Sequence, residues 1–422
     1  MKQSIYNHIR KEKDGYILYN SATGAIIFLT IEQYKFFYNG DFEEIDNEKL
    51  IELGFIVDEG IDEIKIQEEK RKSGSDRAKY DRASYTIAPT LKCNARCWYC
   101  YEKDTPHFTM SEEVVNKTIE YIKNDITKLK SNSLKINWFG GEPLLAQDII
   151  WKMSKELIEF IGKENYSANI VSNGSLINEE VINNFLKWQI TQIQITLDGT
   201  ENYYNEYKAY VNKQHNYKLV INNIEKLLKK GIRVSVRLNF NDTNLLDIMK
   251  AINEVSMKFK KYEKFFMYVY PIKGVFDDKE LSTGEVLKSN LEKSLLKLYQ
   301  NGFIKEFSDL NLNPVKTHCS ARISAYRIDP LGNIYNCNHD IGKSNLAVGN
   351  IFDGIDKNNK NYLYYTNTSI DKRCEECSLL PICQGGCLVN TNEDDLCVPQ
   401  KSSIDTLLHI AYIIRGRENN NE

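Results

Sequence analysis

YTIAPTLKCNARCWYC, residues 85–100, begins as a strand and ends as a loop with cysteines at positions 93, 97 and 100. The run YTIAPT is rich in β-branched and aromatic residues, and Pro89 then closes it. Three thiolates spaced C-x3-C-x2-C on a tight loop suit an iron–sulfur cluster, which normally takes four protein ligands. A missing fourth ligand leaves one iron open to a non-protein group. The alternative is a structural zinc site completed by a distant His or Cys.

Outward from this loop the pattern alternates. A helix is expected around SEEVVNKTIEYIKNDITKL, opened by Ser111 with an acidic first turn. Then come LKINWFGG, a helix over 146–163, ANIVSN, a helix over 178–188, QIQITLDG, a helix over 217–230, RVSVRLNF, a helix over 244–258, FFMYVYPI and a last helix through NLEKSLLKLYQ. Strands alternating with helices predict a parallel sheet with helical crossovers. Six βα units imply an open sheet or an incomplete barrel, with chemistry at the C-terminal ends of the strands. The cysteine loop, GGEP, SNG and LDG all fall at such ends, as one shared site requires.

The chain of 422 residues is long enough for two or three domains. Its net charge of −3 gives no support for a nucleic-acid partner. No run approaches the apolar length of a membrane span, and the N-terminus lacks an apolar signal core, so a cytoplasmic, membrane-free protein is expected. Ten cysteines in such a protein read as metal ligands rather than a disulfide framework. Besides the first three, they form a second group at 319, 337, 374, 377, 383, 387 and 397. Regular periodicity fades from about 310 to 400, where metal can supply order; SIDTLLHIAYII ends the sequence as an amphipathic helix.

The C-x3-C-x-aromatic-C loop after the first strand resembles the radical S-adenosylmethionine (SAM) enzymes. The resemblance implies that Cys93, Cys97 and Cys100 bind a [4Fe–4S] cluster whose open iron takes SAM. Further motifs imply SAM contacts: Tyr99 beside the adenine; Gly140, Gly141, Glu142 and Pro143 of GGEP at the amino group; Ser172, Asn173 and Thr196 at the carboxylate and ribose. Where relatives carry an Arg toward the SAM carboxylate, this sequence has Lys208, which keeps the charge and loses the bidentate fork.

The seven downstream cysteines resemble the SPASM extension of radical SAM enzymes that modify peptides and proteins. That implies two auxiliary [4Fe–4S] clusters, three in all. Cys374, Cys377, Cys383 and Cys397 would hold the outer one; Cys319, Cys337 and Cys387 would hold an inner one with an open iron, unless the adjacent His318 closes it. An open iron invites a substrate thiolate, as in the sactipeptide and ranthipeptide maturases that form thioethers. Anaerobic sulfatase-maturing relatives carry an Asp where this protein has Asn338.

Residues 1–70 read as a separate small unit. The strand-like runs GYILY and AIIFLT, helical IEQYKFFY and NEKLIELGF, and strand-like FIVDE are in the style of a winged helix. The unit resembles a leader-peptide recognition element, which takes a leader as an added edge strand. The charged, Gly- and Ser-containing QEEKRKSGSDRAKYDR reads as a linker, with 71–83 as its bounds.

The expected architecture is therefore α/β. A partial (β/α)6 TIM-like barrel over 84–309 lies between the winged-helix-like domain and an iron–sulfur SPASM domain at 310–422. The expected function is a radical SAM maturase of a ribosomally synthesised, Cys-containing precursor peptide with a leader, forming thioether crosslinks. An electron donor such as flavodoxin or ferredoxin would serve it. Carbon–carbon crosslinking or another peptide oxidation is the alternative enzyme, and a metal or electron-transfer protein the alternative of another class.

Overall fold

The computed structural model describes residues 1–74, 82–272, 284–317, 319–323, 325–367, 369–389 and 397–418. The protein opens with β1 (Lys2–Gln3), β2 (Asn7–Lys11), β3 (Tyr16–Asn20), β4 (Ile26–Leu29), α1 (Ile31–Asn39), α2 (Asn47–Glu52), β5 (Ile56–Val57) and α3 (Glu63–Gly74). The βα series follows: β6 (Arg82–Ile87), α4 (Glu112–Leu129), β7 (Ser133–Trp138), α5 (Gln147–Ile161), β8 (Tyr166–Ser172) and α6 (Glu179–Lys187). It continues with β9 (Ile190–Leu197), α7 (Glu201–Lys208), α8 (Tyr217–Lys229), β10 (Arg233–Phe240), α9 (Leu245–Phe259), β11 (Phe265–Pro271) and α10 (Gly284–Gln300). The last stretch holds β12 (Tyr326–Ile328), β13 (Asn333–Tyr335), β14 (Gly349–Asn350), β15 (Gly354–Ile355), α11 (Lys360–Thr366), α12 (Lys372–Glu375), α13 (Leu380–Cys383) and α14 (Pro399–Glu418).

Two compact units result. One comprises residues 76–282 and 320–367 and holds the large sheet. Strands β6 to β11 lie side by side in sequence order, all parallel. Strand β12 adds parallel to β6, and β13 to β15 continue antiparallel beyond it. Sequential order without reversal suits crossovers that all place their helices on one side, as in a barrel.

The strands alternate strictly. Ile193, Ile195 and Leu197 of β9 are buried, as are Val234, Val236 and Leu238 of β10. The residues between them are polar. Such alternation is uncommon in parallel sheets, whose strands are usually apolar on both faces. Here one face packs beneath the helices and the other is a polar face. The helices are amphipathic to match: α4 buries Val115, Ile119, Ile122 and Ile126, with Ser111 capping its start through the Val114 N–H (3.3 Å).

The other unit comprises residues 1–75, 283–319 and 368–422. Its β2-β3-β4 sheet is antiparallel, and β1 pairs with β5. Leu18, Phe37, Phe42, Leu50, Phe55 and Ile56 form a small core. The C-terminal helix α14 runs along β2 with matched polar pairs: Asp405 with His8 (3.4 Å), His409 with Glu12 (3.1 Å) and Tyr412 with Asp14 (2.7 Å).

One expectation needs correction. The segment read as a linker from residue 71 is helical as far as Gly74, and residues 75–81 lie outside the described residues. The inward side of α3 is polar, so no apolar period betrays it. Buried Glu63 accepts from Ser4 Oγ (2.5 Å) and the Ile5 N–H (3.1 Å), and buried Gln67 accepts from Gln384 (3.1 Å).

Candidate active site

Cys93, Cys97 and Cys100 follow β6, at the C-terminal end of the parallel sheet. The loop that carries them is held by GGEP. The Gly141 N–H donates to the Thr90 carbonyl (3.2 Å) and the Glu142 N–H to the Lys92 carbonyl (2.8 Å). Glycine is required twice. A Cβ on Gly140 would lie 2.3 Å from the Thr90 oxygen, at a φ of +103°, and one on Gly141 would lie 2.4 Å from the Lys92 oxygen. Pro143 is buried at the first turn of the short helix that follows.

Glu142 is fully buried. Its carboxylate accepts from the Leu144 N–H (3.1 Å), Ser172 Oγ (2.9 Å) and the Asn173 N–H (2.8 Å). These bonds tie the ends of β7 and β8 together. Burial pushes the carboxyl up to about 7, against the pull of the same hydrogen bonds. Asn173 donates in turn to Asn94 Oδ1 (2.8 Å), between the first two cysteines. Asn94 also donates to Ser175 Oγ (2.9 Å) and contacts His215 Nδ1 (3.0 Å). The hydroxyls of Tyr204 and Tyr210 reach the Asn173 carbonyl at 3.4 and 3.3 Å.

At the end of β9, Asp198 is wholly buried and accepts from the Tyr99 hydroxyl (2.7 Å), Lys208 Nζ (3.1 Å) and Asn239 Nδ2 (3.3 Å). Lys208 also donates to the Tyr99 oxygen (3.1 Å), and the Arg96 N–H donates to the Lys208 carbonyl (2.9 Å). Burial works against the Lys208 ammonium, but Asp198 and the Cys97 sulfur outweigh it and hold its pKa well above the usual value. Lys208 is therefore engaged by Asp198 and Tyr99. Asp198 stands within LDG, yet no sequence signal sets it apart there, and Asn94, Tyr204, Tyr210 and Asn239 have no motif to announce them. Thr196 is half-buried on the polar face of β9, opposite Arg237.

The three thiols are free of disulfides. Burial, then the Glu142 carboxylate, pushes Cys93 up to about 12; burial pushes Cys100 up to about 11 and Cys97 upward too. Thiolates here need a cationic partner. Among the described residues no three His, Cys, Asp or Glu side chains converge on a single-ion position. Three half-buried soft donors on one short loop, which two glycines let GGEP pack against backbone to backbone, fit an iron–sulfur cluster.

In the other unit, burial raises the pKa of Cys374 and Cys383, and nearby thiols add to it: Cys377 and Cys397 beside Cys374, and Cys397 and Cys374 beside Cys383. Lys401 Nζ reaches the Cys397 sulfur (3.4 Å). Cys319 and Cys387 belong to this unit, and Cys337 to the unit of the parallel sheet. There the Cys337 sulfur accepts from the His339 N–H (3.4 Å), and the His339 ring stacks on Tyr101 with centroids 4.8 Å apart. His318 lies outside the described residues. No helix among the described residues is long and apolar enough to cross a membrane.

Comparison with known proteins agrees with this geometry. Residues 87–255 match the Radical SAM superfamily. The protein is 24% identical over 384 residues to a cysteine-type anaerobic sulfatase-maturating enzyme of Clostridium novyi, covering 79% of this sequence and 99% of that one. It is 23% identical over 442 residues to the radical SAM cyclopropyl synthase TigE of Paramaledivibacter caminithermalis, covering 90% and 88%. The fold is similar to that of Streptococcus suis SuiB bound to precursor peptide SuiA, with a TM-score of 0.55, 16% identity and coverage of 94% and 99%. Residues 87–255 are thus similar to the Radical SAM superfamily, and the relatives matched along most of this sequence are enzymes.

Proposed function

We propose that this enzyme is a maturase of a ribosomally synthesised precursor peptide and that it forms Cys thioether crosslinks. The observation that carries the reading is a C-terminal sheet edge where the loop of three cysteines, the GGEP glycines and a buried carboxylate are tied together, beside a polar sheet face. When bound, a [4Fe–4S] cluster and SAM would supply radical chemistry able to remove a hydrogen atom from a peptide carbon.

The protein's own residues prepare that step. Cys93, Cys97 and Cys100 hold the cluster, and Gly140 and Gly141 let the backbone approach the SAM amino group. Glu142 accepts from that group, while Pro143 fixes the turn behind it. Ser172, Asn173 and Thr196 would contact the carboxylate and ribose, and Tyr99 the adenine. Lys208 positions the cysteine loop through Asp198 and Tyr99.

Cys374, Cys377, Cys383 and Cys397 hold an outer auxiliary cluster. Cys319, Cys337 and Cys387 would hold an inner one, which would supply a site for a peptide thiolate and an acceptor for one electron. The N-terminal β2-β3-β4 sheet, in the style of a winged helix, receives the leader. Flavodoxin or ferredoxin supplies the reducing electron. The similarity to a fold crystallised with a precursor peptide supports a peptide substrate.

The test is mass spectrometry of a Cys-containing precursor after incubation with reduced enzyme and SAM. The product should be lighter by two hydrogen atoms per crosslink, and a Cys→Ser precursor should be unchanged. Loss that persists with every Cys replaced would instead support carbon–carbon bond formation, the reading favoured by similarity to a cyclopropyl synthase over 90% of this sequence.

A further inference from the structure

The polar face of the parallel sheet carries basic side chains. Registers across β6 to β11 place Lys135, Asn169, Gln192, Gln194, Arg237 and Tyr268 on this one face. No Asp or Glu stands at any position of this face within those strands. Asp198, just beyond the end of β9, is neutralised by Lys208 at 3.1 Å.

Arg237 is set up as a fixed donor. Its guanidinium lies over the Tyr270 ring, 4.0 Å from the centroid, and Nε donates to Asn239 Oδ1 (2.8 Å). Asn239 continues to Asp198 (3.3 Å), and Asp198 to Tyr99 beside the cysteines. Arg237 is half-buried. No carboxylate among the described residues pairs with it. A guanidinium with one edge tied to the protein, stacked on an aromatic ring, and with its charge unmatched is pre-organised for a carboxylate.

Resting on the peptide-maturase reading, we infer that Arg237 anchors a carboxylate of the peptide on this face, from an Asp or Glu side group or from the peptide's own C-terminus. Charge-assisted hydrogen bonds of this kind give about tenfold in affinity. The position of Arg237 then selects which part of the peptide reaches the end of the sheet where the cysteines stand.

Anaerobic equilibrium dialysis of SAM-loaded holoenzyme tests this without turnover. The probes are three labelled pentapeptides: acetyl-Gly-Gly-Asp-Gly-Gly-amide, its Asn counterpart, and acetyl-pentaglycine with a free C-terminus. The wild type should retain the Asp peptide or the free-acid peptide about tenfold over the Asn peptide, and which one is preferred names the source of the carboxylate. In Arg237→Gln the ratio should fall to about one, and Arg237→Lys should keep part of it. A ratio within one enzyme form does not depend on the fraction folded. Equal retention of all three by the wild type, including none of any, overturns the inference. So does a preference that survives Arg237→Gln, which would place the anchor at another cation such as Lys135. Because no step of chemistry is read, failure here leaves the maturase reading to its own mass-spectrometric test.

Discussion

Asp198 and Lys208 form an ion pair whose two side chains are 0% and 5% exposed, and this sets a sharp expectation for its mutants. Asp198→Asn keeps the shape and leaves a buried ammonium without its counter-charge. Loss of one partner of such a pair costs about 3–5 kcal/mol. The Tyr99 hydroxyl and Asn239 amide lose their charged acceptor in the same change. Adding Lys208→Met removes the stranded charge and should recover at least about 2 kcal/mol relative to Asp198→Asn alone. The assay is urea unfolding of metal-free protein by circular dichroism at neutral pH, comparing midpoints at equal slope. The double variant should unfold at clearly higher urea than Asp198→Asn. If it is no more stable, Lys208 is not held by Asp198, and the role given to the pair in fixing the cysteine loop is wrong.

The other expectations follow from the same loop and its support. Glu142 has its folded pKa raised to about 7 from an ordinary value of 4.5, so the folded protein binds more protons between those values. Stability of the metal-free protein should therefore fall as pH rises from about 4.5 to 7, and Glu142→Gln should flatten that slope; an unchanged slope would contradict the burial argument. Gly141→Ala places a methyl 2.4 Å from the Lys92 oxygen and 2.7 Å from the Leu91 oxygen, both backbone atoms. It should displace the cysteine loop and reduce the iron retained there, whereas a variant with full iron content would show that the loop yields at little cost.

The parallel sheet was legible because strand-like and helical stretches alternate and several strands keep a period of two. Ile193, Ile195 and Leu197 mark a strand by period, and the polar residues between them are as informative. Helix α3 was not legible, because its inward residues Glu63, Gln67 and Arg71 are polar and look like solvent-facing ones. Ser4 and Ile5, which partner Glu63, and Gln384, which partners Gln67, lie far away in sequence. The cysteines, GGEP and SNG stand out as motifs. Their supports do not: Asn94 and Asp198 act through partners brought together by tertiary structure. Lys208 reads from sequence as a cation free for a ligand because its acidic partner sits across a helix, at the end of the preceding strand.

The most direct test of the radical chemistry is 5′-deoxyadenosine release from SAM by the reduced, iron-reconstituted protein. The wild type should release it. The triple variant Cys93→Ala, Cys97→Ala, Cys100→Ala should release none while retaining iron at Cys374, Cys377, Cys383 and Cys397, which lie in the other unit. Undiminished release from the triple variant would contradict the assignment of these three thiols to the reacting cluster.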